Sequence, residues 1–333
     1  GMRAAIAAAV VGDEQRREDP TVNELQERAA SLLGQERALF VPTATMANQI
    51  ALKLHSRPGD VLVAERQAHL VIYEYGGAAV HAGLMIEPIA GRLGRFGPDE
   101  LRAATEPSTK AADQRPAILA LENTHNSSGG RCWPLAELES LLDAARERGL
   151  KTHLDGARLF NAAVATGVAS SVIGGLFDTV TVCLSKGLGC PLGALLAGSE
   201  ESIGRAWREK HLFGGAMRQA GVVAAAGLYA LDHNVERLAE DHARARRLAE
   251  AWHDAGLPVE LDQVETNFVQ IRIGSLGLTR DDALGRLRQA GVGLSSTIHP
   301  TVIRAVTHLD VTDADVESAS ELVPAALGAR RAG

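Results

Sequence analysis

A chain of 333 residues, 46% hydrophobic and 23% charged, holds enough apolar material for a sizeable core and has room for two domains, which excludes a disordered chain. Its 34 basic and 41 acidic residues leave a formal charge of −7 with no basic tract, so nucleic acid is not an expected partner. No apolar stretch reaches the roughly 18 to 20 residues that span a bilayer, and the opening GMRAAIAAAVVGDEQRRED does not read as a secretory signal, so the expected compartment is the cytoplasm. Cys132, Cys183 and Cys190 form no CxxC pair, and neither a disulfide framework nor a metal site is expected.

In chain order, the first predicted helix covers 21–33, where Val22, Leu25, Ala29 and Leu32 share one face after an Asp19-Pro20-Thr21 start. An apolar run at 38–41 passes into Pro42-Thr43-Ala44-Thr45 and then MANQIALKLHS: strand, tight turn, helix, the layout of an anion-binding helix end. Strands read at VLVA, LMIEPI, PAILALE, KTHLD, DTVTVCLS and GALLAG alternate with helices read at YEYGGAAVHA, PDELRAAT, PLAELESLLDAARERGL and ARLFNAAVA. That alternation predicts an open, largely parallel α/β sheet. His125, Asp155 and Lys186 lie at or just past strand ends, where such sheets bind ligands.

A long helical stretch follows over 216–255, in which the Asp-His pairs at 232–233 and 241–242 read as solvated charge. Beyond Gly256-Leu257-Pro258, short strands (NFVQIRI, VIRAVT) and two helices (TRDDALGRLRQAG, TDADVESASELVPAALGA) predict a small α+β domain. The expected organisation is an N-terminal helical segment over 1–30, a large domain over 31–250 and a small C-terminal domain over 251–333.

The basic residues divide into 29 arginines and only five lysines. Lys53, Lys110 and Lys210 have polar or charged neighbours, and Lys151 opens a strand. Lys186 alone sits in an apolar, glycine-rich turn, CLSKGLGCPLG, directly after an apolar strand. A lysine that forms a Schiff base needs partial desolvation, so that its amine is neutral, and small neighbours, so that a flat cofactor can approach. Asp155 ends the strand of HLDGARLF and offers the carboxylate that keeps a pyridinium nitrogen protonated. Together with the turn at 42–46, the two residues favour pyridoxal 5′-phosphate (PLP).

The segments DPTVNELQ, PTATMANQ, EYGGAAV, LENTHN, HLDGARLFNA, CLSKGLGCPLG, GGAMRQAG and VTHLDV run through nearly the whole chain. In them the sequence resembles the threonine aldolases and their β-eliminating relatives among the fold-type I PLP-dependent enzymes. The resemblance implies a large, mainly parallel sheet domain and a smaller C-terminal one. It implies Lys186 as the Schiff-base lysine, Asp155 as partner of the pyridine nitrogen, and Arg158 and Arg304 as ligands of the substrate carboxylate, Arg158 alternatively of the cofactor. It also implies His69 stacked on the cofactor ring and His125 near the substrate hydroxyl. The amides of Ala44, Thr45 and Met46 would hold the phosphate, with Lys210 and Arg218 near it, across a subunit boundary.

Two departures carry expectations of their own. Ala44 stands where the family usually has glycine, so it must avoid positive φ or accept strain. A leading segment resembling DLRSDTVTRP, whose serine helps bind the substrate carboxylate in the family, does not stand before Met2: either the sequence is shortened there or one substrate ligand is lost, and the loss would weaken the hold on that carboxylate with the chemistry retained. The implied activity is retro-aldol cleavage of L-threonine-like or L-allo-threonine-like β-hydroxy-α-amino acids to glycine and an aldehyde, by a homotetramer arranged as a dimer of dimers. The alternatives are β-elimination or racemisation on the same fold, or PLP binding without turnover.

Overall fold

The computed structural model describes residues 1–106 and 114–328; Lys110 lies outside them. The chain forms two compact units, Gly1–Thr124 with Trp133–Val235, and His125–Cys132 with Glu236–Gly333.

The first unit is built on seven strands: β1 (Arg37–Val41), β2 (Val61–Glu65), β3 (Met85–Ile89), β4 (Pro116–Glu122), β5 (Lys151–Asp155), β6 (Thr179–Cys183) and β7 (Ala194–Gly198). Their spatial order is β1-β7-β6-β5-β4-β2-β3. Strands β2 to β6 pair in parallel, and β7 runs antiparallel to both its neighbours. Residues of β2, β6 and β7 are buried throughout, which explains why these strands read as continuous apolar runs without alternation. All seven were legible in the sequence.

The helices differ more from expectation. YEYGGAAVHA is a helix only over Gly77–Ala82; before it the chain turns through Tyr75 and Gly76, at φ 53° and 74°. The left-handed turn buries Glu74 and leaves the Tyr75 ring in solvent. The long helical stretch over 216–255 is two helices, Gly221–His233 and Leu238–Asp254. The unit boundary falls between them, at 235/236 and not at 250/251, because Ala245, Leu248, Ala249 and Trp252 belong to the apolar core of the second unit. Asp241, expected in solvent, is buried against Arg237. The segment 1–30 is not separate either: helix Pro20–Leu32 packs on β1 and on helix Gly221–His233.

The second unit carries an antiparallel sheet of β8 (Phe268–Ile271), β9 (Ser295–Ser296) and β10 (Ile303–Val306), in the order β8-β10-β9. Helices Leu238–Asp254, Arg280–Gln289 and Asp313–Leu327 supply the rest of its core. The loop His125–Cys132 belongs here, tied by the Thr266 hydroxyl donating to the Gly130 carbonyl (2.8 Å) and the Cys132 amide donating to Glu265 (2.7 Å). His125 therefore sits in the second unit, not in a domain spanning 31–250. Among the described residues, no helix is long and apolar enough to cross a membrane.

Candidate active site

The C-terminal ends of the parallel strands collect the polar side chains of the first unit. Asp155 closes β5 and is buried; its Oδ1 accepts the Ala157 amide (3.1 Å) and its Oδ2 the Asn48 side-chain amide (2.9 Å). A Cβ on the next residue, Gly156, would lie 2.8 Å from the Thr181 carbonyl, so glycine is what lets the chain turn against β6. Arg158 stands at the N-cap of helix Leu159–Thr166. Lys186 is half-buried in the loop joining β6 to β7, and among the described residues no hydrogen bond or ion pair holds its amine. Burial, and after it the Arg158 guanidinium, pull that amine below the usual lysine range, with Cys183, Asp155 and Glu122 opposing.

His69 opens the short helix His69–Ile72 and donates from Nδ1 to Glu74 Oε1 (3.0 Å). Burial pulls its imidazole down, but the bond to Glu74 and the charge of Asp155 prevail and raise it. Glu74 is buried and also accepts from Asn48 (2.9 Å) and Gln49 (2.5 Å). Gly77 makes the room, since a Cβ there would come within 2.7 Å of the Gln49 amide. Behind Asn48, His153 is buried with both ring nitrogens bonded. Sequence reasoning missed Asn48, Gln49, Glu74 and His153. The available signal was a polar Asn-Gln pair inside an apolar helix and a histidine inside an apolar strand.

The anion-binding turn has the expected layout with one correction. Thr43 caps helix Ala44–His55, its hydroxyl accepting the Met46 amide (3.2 Å), so the free amides are those of Ala44 and Thr45, without Met46. Ala44 is helical and absent from the positive-φ residues, the first of the two outcomes expected for it. Lys210 is a further correction: it is fully buried and its amine is bonded to Glu14 of the same chain, which leaves no charge for a phosphate. Arg218 pairs with Asp13 (2.8 Å) on a largely exposed side chain.

In the second unit, His125 is buried and joined to Arg131 by a backbone bridge. Arg304, on β10, donates to the Asn126 side-chain oxygen (2.9 Å), and its guanidinium lies over the Phe268 ring, 4.5 Å from the centroid. Two of the expected substrate-binding residues, His125 and Arg304, are thus carried by one unit.

A family model described as beta-eliminating lyase matches residues 1–274. The chain belongs to the beta-eliminating lyase family. The low specificity L-threonine aldolase of Escherichia coli is 42% identical over 312 residues, 93% of this chain and 90% of that one. The low-specificity L-threonine aldolase 1 of Arabidopsis thaliana is 37% identical over 322 residues, 95% and 89% of the two chains. Among solved structures, threonine aldolase of Leishmania major superposes with a TM-score of 0.80 at 18% identity, covering 93% of this chain and 90% of its own. The fold is that of the fold-type I PLP-dependent enzymes, and the chain is a PLP-dependent lyase.

The first unit of this beta-eliminating lyase family member fits the cofactor on its own evidence. Thr181 Oγ1 and Asn123 Nδ2 are buried without a hydrogen-bond partner. Thr181 lies opposite Asp155 in the β5–β6 register, and the Asn123 amide donates to the Asp155 carbonyl (3.0 Å). Orphaned buried polar atoms are costly, and these two belong to residues whose backbone neighbours that of Asp155. Donor atoms of His69, Glu74 and Asp155 also lie within 4.8 Å of one another, close enough for a metal ion. The Asn48 amide, however, directs its N–H groups at both carboxylates and takes the place of a cation. A cleft of about 830 Å³ lies elsewhere, at the N-terminal ends of β5 and β6 beside His55, Lys151 and Asp178.

Proposed function

We propose that the protein cleaves L-threonine-like and L-allo-threonine-like β-hydroxy-α-amino acids to glycine and an aldehyde. The observation that carries this reading is Lys186, an amine with no hydrogen-bond or ion-pair partner among the described residues, held below its usual pKa and near enough to Asp155 and Arg158 to feel their charges. The named activity of the 42%-identical Escherichia coli relative supports the reaction class.

PLP, when bound, supplies an electron sink for the carbon left when the Cα–Cβ bond breaks. Lys186 is the residue that would hold it covalently, since a depressed amine pKa raises the neutral, nucleophilic fraction. Asp155 is fixed by two donors in an orientation that can accept from a ring nitrogen. The Ala44 and Thr45 amides are suited to the phosphate. His69 offers a flat ring held by Glu74 for stacking. Arg158 and Arg304 carry the carboxylate-binding role, Arg218 an accessory phosphate role, and His125 the removal of the β-hydroxyl proton; these rest on the family resemblance, Arg304 lying two residues before the VTHLDV segment and the other three within matched motifs. Three buried free cysteines suit a reducing compartment, the cytoplasm. The exposed Arg218 beside the glycine-rich turn at 214–215 suits a homo-oligomer, a dimer of dimers, in which that turn meets a neighbouring copy.

Product analysis tests the reading. Glycine and acetaldehyde from threonine support it. Pyruvate and ammonia from serine in their place mark β-elimination, D-alanine from L-alanine marks racemisation, and no turnover of any amino acid reduces the protein to a PLP-binding module.

A further inference from the structure

The polar side chains behind Asp155 form a row of hydrogen bonds whose direction follows from chemistry alone. Asn48 faces Glu74 and Asp155 with its nitrogen, giving one N–H to Glu74 Oε1 and the other to Asp155 Oδ2, each at 2.9 Å. The Asn48 oxygen is left to His153 at 3.1 Å, so His153 carries its proton on Nε2. Burial pushes this imidazole down to about 4 and keeps it neutral, so its bare Nδ1 accepts from the Thr179 hydroxyl at 2.9 Å. The Thr179 oxygen then accepts from His55 Nε2 at 3.0 Å. Every proton in the row points towards the two carboxylates.

We propose that Asn48, oriented by His153, is a positioning residue for the lyase reaction: its one amide holds Asp155 in the orientation that meets the cofactor nitrogen and, through Glu74, holds the ring of His69. The inference rests on the reading of Asp155 given above. Two buried carboxylates this close repel unless donors lie between them, and Asn48 donates to both. Both nitrogens of His153 are taken up by the row, one of them in fixing which way the Asn48 amide faces. Gln49, adjacent in the same helix, secures the remaining oxygen of Glu74. The other charged groups near Lys186 and Asp155, Arg158 and Glu122, lie on other elements.

The test loads the apoproteins with PLP labelled with ¹⁵N in the ring and reads three quantities: the ring-nitrogen chemical shift, the PLP dissociation constant and the thermal melt of the apoprotein. In Asn48→Leu the ring nitrogen is expected to move towards its unprotonated shift, with PLP binding weaker by about ten- to a hundred-fold, the range for a lost hydrogen bond to a charged group. His153→Leu should move both in the same direction by less, and His153→Gln, whose amide can donate to Asn48 and accept from Thr179, should restore them. A folded Asn48→Leu protein with an unmoved ring-nitrogen shift overturns the inference, even if its melt is lower. If Asn48→Leu does not fold, a folded His153→Leu protein with unmoved shift and affinity overturns it equally. An unprotonated ring nitrogen in the unaltered protein would remove the Asp155 reading, and this inference with it; a protonated one that ignores Asn48 removes this inference alone.

Discussion

Two turns of the first unit each take a lysine out of water, and they do so differently. Lys210, in helix Glu200–Leu212, is fully buried, bonded to the Glu14 carboxylate and 5.6 Å from the centroid of the Trp207 ring. Lys186, in the loop after β6, is half-buried with no carboxylate bonded to it and with an arginine acting on its charge. Burial lowers both amines. In one case a bonded carboxylate absorbs the cost and the lysine becomes part of the framework; in the other, Cys183, Asp155 and Glu122 offset it only in part and from a distance. Burial alone does not mark a nucleophilic lysine, whereas burial without a partner does.

The largest expected effect breaks the comparison at its reactive end. Lys186→Ala should lose the visible absorption of lysine-bound cofactor and reduce turnover to background, while the apoprotein still folds. A borohydride-reducible PLP adduct persisting in that variant would move the attachment to another lysine. At the other end, Lys210→Met leaves the Glu14 carboxylate buried without its cation, with only the Met217 amide donating to it (3.0 Å), and should cost about 3–5 kcal/mol in urea unfolding. Adding Glu14→Gln should recover much of that loss, and covalent attachment of PLP should survive in both. Equal stability of Lys210→Met and the unaltered protein would refute the structural role.

A third prediction concerns pH. An amine lowered by folding disfavours the protonated native state, so apoprotein stability should rise as pH climbs from the folded pKa towards the ordinary value near 10.5. The rate at which the apoprotein captures PLP should likewise show a midpoint below 10.5 that is lost in Lys186→Ala. A midpoint at the ordinary value would show that Lys186 is not depressed. The smallest effect sharpens the role of a carboxylate partner. Glu74→Gln should bring the His69 pKa down, because its bond to Glu74 is the leading influence raising it. Stability carried by this raised imidazole is present in full below about pH 6.5, and is lost as pH rises through its folded value. An NMR titration in which Glu74→Gln leaves His69 unchanged would contradict the assignment.

What was legible in the sequence follows from the range of the forces. The strands, and Lys186 and Asp155 at their ends, announce themselves through apolar runs that stop at glycine-rich turns. Lys210 was misread as solvated because its partner, Glu14, lies 196 residues away and no local pattern reports it. Glu74 was read inside a helix because the left-handed turn at Tyr75 and Gly76, which drives it inward, has no signature in the helical period. His125 was placed with the large domain because chain order suggests so, whereas bonds from Thr266 and to Glu265 draw its loop into the second unit.

In the sheet, β1, β7 and β6 are consecutive, and the Gly193 amide, just before β7, donates to the Pro42 carbonyl just after β1 at 3.0 Å. Neighbouring strands stand about 4.8 Å apart, so the strand leading to the helix Ala44–His55 and the strand leading to Lys186 are two steps, about 10 Å, from one another. The backbone is a ruler laid between an anion-binding helix end and an amine. A molecule with a phosphate at one end and an aldehyde at the other, set between them, would be gauged against a main-chain spacing that side-chain exchange leaves unchanged. The vulnerable mark on that ruler is Gly193, at φ +114°, where an added Cβ would come within 2.7 Å of the Phe40 ring.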